Sequence, residues 1–345
     1  MNYNEEKIKY YLKNILSISS PTGYTNKIMD YIKEELHMLN AYYVTTNKGA
    51  VVVTIKGKND NYQRTLSAHV DTLGAMVKGI NSTGTLALTP LGGFMMNSIE
   101  GENCTIETIE GKTFTGTIQT QKPSVHISGD DARGLKRTPE NMEVVLDEKV
   151  SSKEDVEKLG IDVGDFICFD TRTRFTEKGF IKTRHLDDKA SVAILLYTIK
   201  YLIENNIELP YTTNFFISNY EEVGHGACYI PERTKEFVSV DMGAPGLDQN
   251  SSEYSVCICA KDSSGPYDLD LRKKLTHLSK ENNIDYKIDT YPHYGSDASA
   301  AVRAGWDIKT ALIGPGVFAS HAYERTHMDS VLATIDLVLN YCKSE

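Results

Sequence analysis

The sequence predicts a mixed α/β fold interrupted by a smaller β-rich unit, and three observations carry that prediction. Strand-like apolar runs alternate with helical patterns in both outer parts of the chain, as in a layered α/β domain. Between residues 75 and 168, short strand-like runs separated by glycines and polar turns replace the alternation. Beyond that stretch, carboxylates recur where predicted strands stop, the region in which open α/β sheets hold their ligands. Residues 1–74 and 169–345 are therefore expected to form the larger domain, with 75–168 inserted into it. A chain of 345 residues is long enough for both.

Composition narrows the function. With 40% hydrophobic and 24% charged residues, the chain reads as an ordinary soluble globular protein. A formal charge of -10 and the lack of any Lys/Arg block argue against nucleic acid as a partner. No apolar stretch reaches membrane-spanning length, so no membrane partner is expected. The opening Met1-Asn2-Tyr3-Asn4-Glu5-Glu6 lacks the basic and apolar regions of a signal peptide. The cysteines show no paired metal-ligand spacing and read as core or free thiols, which points to the cytoplasm.

Taken in order, residues 8–16 read as an amphipathic helix, broken by Ser19-Ser20-Pro21-Thr22-Gly23. A second helix is expected over 26–39, with Ile28, Met29, Ile32, Leu36 and Leu39 on its apolar side. Residues 42–46 and 49–56 read as strands, and Asn59-Asp60-Asn61 as a turn. Thr65-Leu66-Ser67-Ala68 leads as a strand into His69-Val70-Asp71, setting His69 and Asp71 on one face. In the insert, strands are expected at 75–77, 85–88, 104–107, 113–118 and 166–169. There is little helix signal there before 153–159, which Ser152 caps. The larger domain then continues with strands at 179–183, 213–220, 237–240, 254–259, 286–289 and 310–313. Helices are expected over 191–203, 268–280, 299–304 and 330–341.

The chemistry centres on Glu221 and Glu222, which end the apolar run 213–220 and precede Val223-Gly224-His225-Gly226-Ala227. Adjacent acids at a strand's end repel unless a cation or proton offsets them; an exposed surface pair is the alternative. His69 beside Asp71 suits an imidazole ligand oriented by a carboxylate, or a polar residue at a sheet margin. Asp187 and Asp188 sit at a helix mouth, either as an N-cap or with the first of them bridging cations. Asp241 again follows a strand. If strand ends gather these residues, two divalent ions could share Asp187. His69 and Asp241 would complete one site, and Glu222 and His327 the other. The mixed nitrogen and oxygen set suits zinc, with cobalt and manganese as alternatives. Glu221, left unligated, would take a proton from water and return it to a leaving amine.

The ordered motifs Ser67-Ala68-His69-Val70-Asp71, Leu186-Asp187-Asp188-Lys189, Glu221-Glu222-Val223-Gly224, Val240-Asp241-Met242-Gly243, Gly295-Ser296-Asp297-Ala298 and Arg325-Thr326-His327 span nearly the whole chain. Leu91-Gly92-Gly93-Phe94 and Leu159-Gly160-Ile161-Asp162-Val163-Gly164-Asp165 add to them. Together they make the chain similar to the M42 family of metallo-aminopeptidases, the tetrahedral or glutamyl aminopeptidase-like group. The resemblance implies a dinuclear metallopeptidase with an inserted β-barrel-like domain that removes amino-terminal residues from peptides. It implies hollow homo-oligomers, often dodecamers. It carries the ligand role to His69, Asp187, Glu222, Asp241 and His327, the general base to Glu221, and support of His69 to Asp71. Asp297 would stabilise the site or meet substrate. Thr72 stands where the family commonly has an acid, and Lys189 where arginine is more frequent, departures that bear on specificity more than on chemistry.

Other readings remain open on sequence alone. A two-metal amidohydrolase acting on small amides would use the same ligands, and a binding scaffold would hold metal without turnover. A glucanase, a label some family members have carried, fits less well, because the carboxylates already have coherent metal roles. No Gly-x-Ser-x-Gly element supports a serine nucleophile. Asp188 could be a cap, a hydrogen-bond acceptor or an alternative ligand. His185, His225, His293 and His321 are further cleft candidates, and Lys261, Arg272, Lys273 and Arg325 could favour acidic substrates.

Overall fold

The computed structural model describes residues 3–345. Helix α1 (Glu5–Ser17) starts where the Asn4 side chain accepts from the Lys7 amide, and it buries Ile8, Tyr11, Leu12, Ile15 and Leu16 along one stripe. After α2 (Asn26–Met38) come β1 (Tyr43–Thr45), β2 (Val51–Ile55) and β3 (Gly57–His69). Strand β3 spans the expected turn at residues 59–61 as a bulge: its pairing jumps from Asn59–Tyr211 to Arg64–Thr213.

The insert follows at once. β4 (Gly74–Ile80), β5 (Leu86–Leu91), β6 (Asn103–Glu107), β7 (Thr113–Thr120), α3 (Val125–Ser128), α4 (Asp130–Gly134), β8 (Met142–Leu146), α5 (Lys153–Leu159) and β9 (Phe166–Phe169) complete it. Its strands close into an antiparallel barrel in the order β4-β5-β8-β7-β6-β9 around a core of its own, which includes Val77, Leu88, Ile106, Ile118 and Val144. The short helices α3 and α4 and the strand β8 are not among the expected elements. Met142, Val144 and Leu146 point inward in alternation, so β8 carries a period-two pattern that five residues display only weakly.

The larger domain resumes with β10 (Arg174–Phe175), β11 (Phe180–Thr183), α6 (Leu186–Glu204), β12 (Leu209–Ser218), β13 (Thr234–Val240), β14 (Val256–Asp262), β15 (Gly265–Pro266), α7 (Leu269–Glu281), β16 (Tyr286–Thr290), α8 (Asp297–Arg303), β17 (Lys309–Pro315), β18 (Glu324–His327) and α9 (Met328–Lys343). Its main sheet has the order β1-β2-β12-β3-β13-β17-β14-β15, with β16 against β14. The central strands β12, β3, β13 and β17 are parallel, and β2 and β14 flank them antiparallel. Alternate residues feed opposite faces. Phe215 and Ile217 join the large core with α1, α2, α6 and α9, while Phe216 joins a second core with Phe237, Ala298 and Leu312. Helix α6 is buried around most of its circumference, which is why its sequence is apolar on every side.

One parallel edge brings the ends of neighbouring strands level: Ser218 of β12 pairs with His69 of β3, and Ser239 of β13 with Ser67. Gly314 lets β13 end against β17, since a Cβ there would lie 1.7 Å from the Asp241 carbonyl oxygen. Midway along β3, the fully buried Arg64 donates through Nε to Glu236 at 2.9 Å and through Nη1 to the Tyr341 carbonyl at 3.0 Å. The Tyr341 hydroxyl also donates to Glu236 at 2.7 Å. Replacing Arg64 with alanine leaves Glu236 buried without its counter-ion. A loss of about 3–5 kcal/mol of folding stability is expected, to be measured by urea unfolding.

Candidate functional site

The site forms where β12, β3 and β13 stop. The buried His69 donates through Nδ1 to the carbonyl oxygen of Asp71 at 2.9 Å, which aims Nε2 at the carboxylates of Asp187 and Glu221. Nε2 lies 3.4 Å from Asp187 Oδ1 and 3.6 Å from Glu221 Oε2. The other oxygen of Asp187 lies 3.2 Å from Nε2 of His321, and His321 is 3.6 Å from Glu222 Oε2. Asp187 therefore sits between two imidazoles, one oxygen toward each. It is joined to Asp188 by a cis peptide bond at the entrance of α6, where neither residue is helical.

Ligand atoms of His69, Asp187 and Glu222 all lie within 4.8 Å of one another, as do those of His69, Asp188 and Asp241. The two groups share His69. Burial and neighbouring acids make this an expensive place for negative charge. Burial pushes Glu222 up to about 8, and burial with the charge of Asp187 pushes Asp241 up to about 7. Burial likewise drives Glu221 and Asp188 well above the usual carboxylate range. Burial opposes charge on His321, but Asp187 and Glu222 outweigh it and raise the imidazole to about 11. Buried Glu222 Oε1 and Asp188 Oδ1 have no hydrogen-bond partner. Converging carboxylates, two imidazoles and orphaned oxygens fit a pair of divalent cations, which would offset the repulsion and occupy those oxygens.

The expected residues are brought together with one correction. His69, Asp187, Glu222 and Asp241 meet, and Glu221 stands beside them. His327 does not. Its Nε2 hydrogen-bonds the Lys178 carbonyl oxygen at 2.7 Å, its Nδ1 accepts from the Asp329 amide at 3.1 Å, and its ring packs against Phe180 and Tyr254. His321 takes the position expected of it. The loop after β17 opens at the same sheet edge as the other candidate ligands, whereas His327 is the last residue of a further strand, β18.

Asp71 stands against His69 and braces the neighbouring turn as well. Its carboxylate is 3.5 Å from His69 Nδ1, but its hydrogen bonds come from Thr22 at 2.7 Å and from the amides of Glu221 and Glu222 at 3.1 and 3.3 Å. It holds the glutamate turn. Asp188 accepts from the His69 amide at 3.1 Å. Asp297 lies behind the same turn, accepting from Ser218, and a Cβ on Gly226 would come within 2.3 Å of it. Asp297 is not part of the cleft wall.

The cleft encloses about 540 Å³, with Asp187, Glu221, Glu222, Asp241 and His321 at its floor. Tyr291, His293, Tyr294 and Arg303 form part of its walls. Of the other histidines, His185 lines a separate cavity toward the insert, and His225 stacks on Tyr220. Lys261, Arg272, Lys273 and Arg325 are absent from the cleft wall. Arg303, not singled out in the sequence, is the arginine found there.

Comparison with known proteins follows the same lines. Residues 49–337 match the model of the M42 glutamyl aminopeptidase family. The chain is 52% identical over 334 residues to a putative aminopeptidase, YhfE, of Bacillus subtilis (strain 168), covering 96% of each. Among solved structures it resembles a TET aminopeptidase from a marine sediment archaeon, Thaumarchaeota archaeon SCGC AB-539-E09, with a TM-score of 0.89 at 19% identity over 99% of this chain and 97% of that one. It also resembles the Pyrococcus horikoshii TET1 peptidase, described as assembling into a tetrahedron or a large octahedral shell. There the TM-score is 0.86 at 23% identity over 98% and 100%.

Two outcomes follow. His321→Ala is expected to weaken binding of one of two zinc ions by at least about 10–100-fold, and His327→Ala to leave both intact, as read by competition with a chelating dye. The second concerns pH. Glu222, Asp241 and His321 all hold protons in the folded, metal-free state at pH values where the unfolded chain has released them. Each raised value contributes stability that is complete below the unfolded value and fades as pH rises toward the folded one. Metal-free protein should therefore lose urea resistance as pH rises above about 4, the carboxylate share by about pH 8 and the His321 share toward about pH 11, and saturating zinc should abolish that loss.

Proposed function

This chain belongs to the M42 peptidase family, and we propose that it hydrolyses amino-terminal residues from peptides at a dinuclear centre held by His69, Asp187, Glu222, Asp241 and His321. The observation that carries the reading is Asp187 set between the two imidazoles with Glu221 alongside. His69 and Asp241 would hold one ion, Glu222 and His321 the other, and Asp187 would bridge them. Bound there, the ions supply Lewis acidity for the scissile carbonyl and a lowered pKa for water.

The chain's own residues do the rest. Asp71 fixes the backbone of Glu221 and Glu222, so the Glu221 carboxylate stands at the cleft floor. Glu221 takes the proton from the attacking water and hands it to the departing peptide nitrogen. Membership of the M42 glutamyl aminopeptidase family supports removal of residues from the amino terminus rather than internal cleavage.

The nitrogen and oxygen donors suit zinc best, with cobalt or manganese as alternatives. We further propose a homo-oligomer, with a dodecamer as the first candidate, in which residues 75–168 serve assembly and substrate access. Support comes from the shells that the Pyrococcus horikoshii peptidase can assemble into and from the barrel's own core. No helix among the described residues is long and apolar enough to cross a membrane. The free cysteines suit a reducing, cytoplasmic setting.

The test is mass spectrometry of a mixed peptide library with metal-free and metal-replenished protein. Stepwise loss of amino-terminal residues that requires metal is expected, with kcat reduced about 10²–10⁴-fold in Glu221→Gln at unchanged metal content. Folded, metal-loaded protein that leaves the library intact but cleaves small acylated amides would replace this reading with an amidohydrolase.

A further inference from the structure

Glu324 has no part in the ligand set, yet its carboxylate is almost fully buried and pairs with no lysine or arginine among the described residues. Instead it collects backbone N–H groups from both ligand-bearing loops. Oε2 accepts from the amides of Leu186 at 2.6 Å and Asp187 at 3.2 Å, and Oε1 accepts from the amide of His321 at 3.0 Å. A buried carboxylate is costly unless hydrogen bonds of this kind satisfy it, so the arrangement has a specific use.

Both loops are awkward to hold. His185 (φ +67°) precedes one ligand, and His321 (φ +63°) is itself the other; each is a non-glycine residue in the left-handed region. Such conformations persist when several contacts over-determine them. Strand register puts Glu324 in reach of both, because Glu324 of β18 pairs with Thr183 of β11, just before the chain turns through Arg184 and His185 into Asp187. Arg184 braces the same pair from outside, donating to the Ala322 carbonyl oxygen at 3.3 Å and to Glu102 of the insert at 2.9 Å. His321 Nδ1 hydrogen-bonds the carbonyl oxygen of Gly93, also in the insert.

We propose that Glu324 is a positioning residue that locks the Asp187 loop to the His321 loop, fixing the spacing of the two metal sites. The inference rests on the dinuclear reading above. Asp187 and His321 are then not independently placed ligands but two ends of one hydrogen-bonded unit. Only a carboxylate serves here. A glutamine offers one oxygen for amides arriving on both sides, and its NH₂ would face an N–H group of one loop or the other. The substitution keeps the side chain's size, so a residue needed only to fill space would tolerate it.

The experiment titrates zinc into metal-free wild type and Glu324→Gln against a competing chelating dye, with folding checked by near-ultraviolet circular dichroism. Zinc affinity about 10–100-fold weaker in the variant is expected, with activity recovering in excess zinc at an unchanged KM. Two ions bound within about twofold of the wild-type affinity would overturn the proposal while leaving the dinuclear reading intact. Wild type that binds no zinc, cobalt or manganese would overturn both. Should Glu324→Gln not fold, hydrogen exchange on metal-free wild type decides. Protection of the Leu186, Asp187 and His321 amides comparable to the central strands is expected, and rapid exchange at all three would sink the idea.

Discussion

Electrostatic repulsion among buried carboxylates shapes this molecule more than any other interaction. Asp187, Asp188, Glu221, Glu222 and Asp241 converge around His69 and His321, and several are pushed far from their ordinary ionisation. An assembly of this kind is tolerable only if positive charge is supplied or protons are retained. The rest of the chain can be understood as the apparatus that forces the convergence. The apolar layers behind it, from α1 and α6 on one face to Phe216 and Phe237 on the other, supply the burial that offsets the local cost.

The apparatus has a simple geometric basis. Parallel strands end together, so residues far apart in sequence meet at one edge without any long loop having to be ordered. What the strands deliver, backbone hydrogen bonds then orient. Asp71 binds the amides of the glutamate turn, Asp188 the amide of His69, and Glu324 the amides of the two remaining loops. Side-chain carboxylates serve in this site both as candidate ligands and as clamps on the peptide groups that carry those ligands.

The barrel is folded around its own core, yet it is not separate from the chemistry. Gly93 orients His321, and Glu102 with Ser98 fixes Arg184 two residues before Leu186. The insert therefore helps to set both the loop that carries His321 and the turn that leads into Asp187.

The sequence by itself determined much of this. Helix α5 and strand β9 have the predicted bounds because their signals are local: Ser152 caps one end of α5 and Gly160 the other, and Phe166-Ile167-Cys168-Phe169 is a compact apolar run. His69, Asp187, Glu222 and Asp241 were legible because each follows a strand or opens a helix. Tertiary structure decided what depends on distant partners. Strand β3 bulges at the apparent turn and continues because its neighbours pair with it on both sides, and β8 is fixed only by closure of the barrel. The choice between His321 and His327 lay in how the chain turns after β17, where one ring reaches Asp187 and the other is tied to the Lys178 carbonyl. A histidine's neighbours in sequence do not say which way its loop leaves the sheet. Hydrogen bonds from a strand and an inserted domain far along the chain settle that.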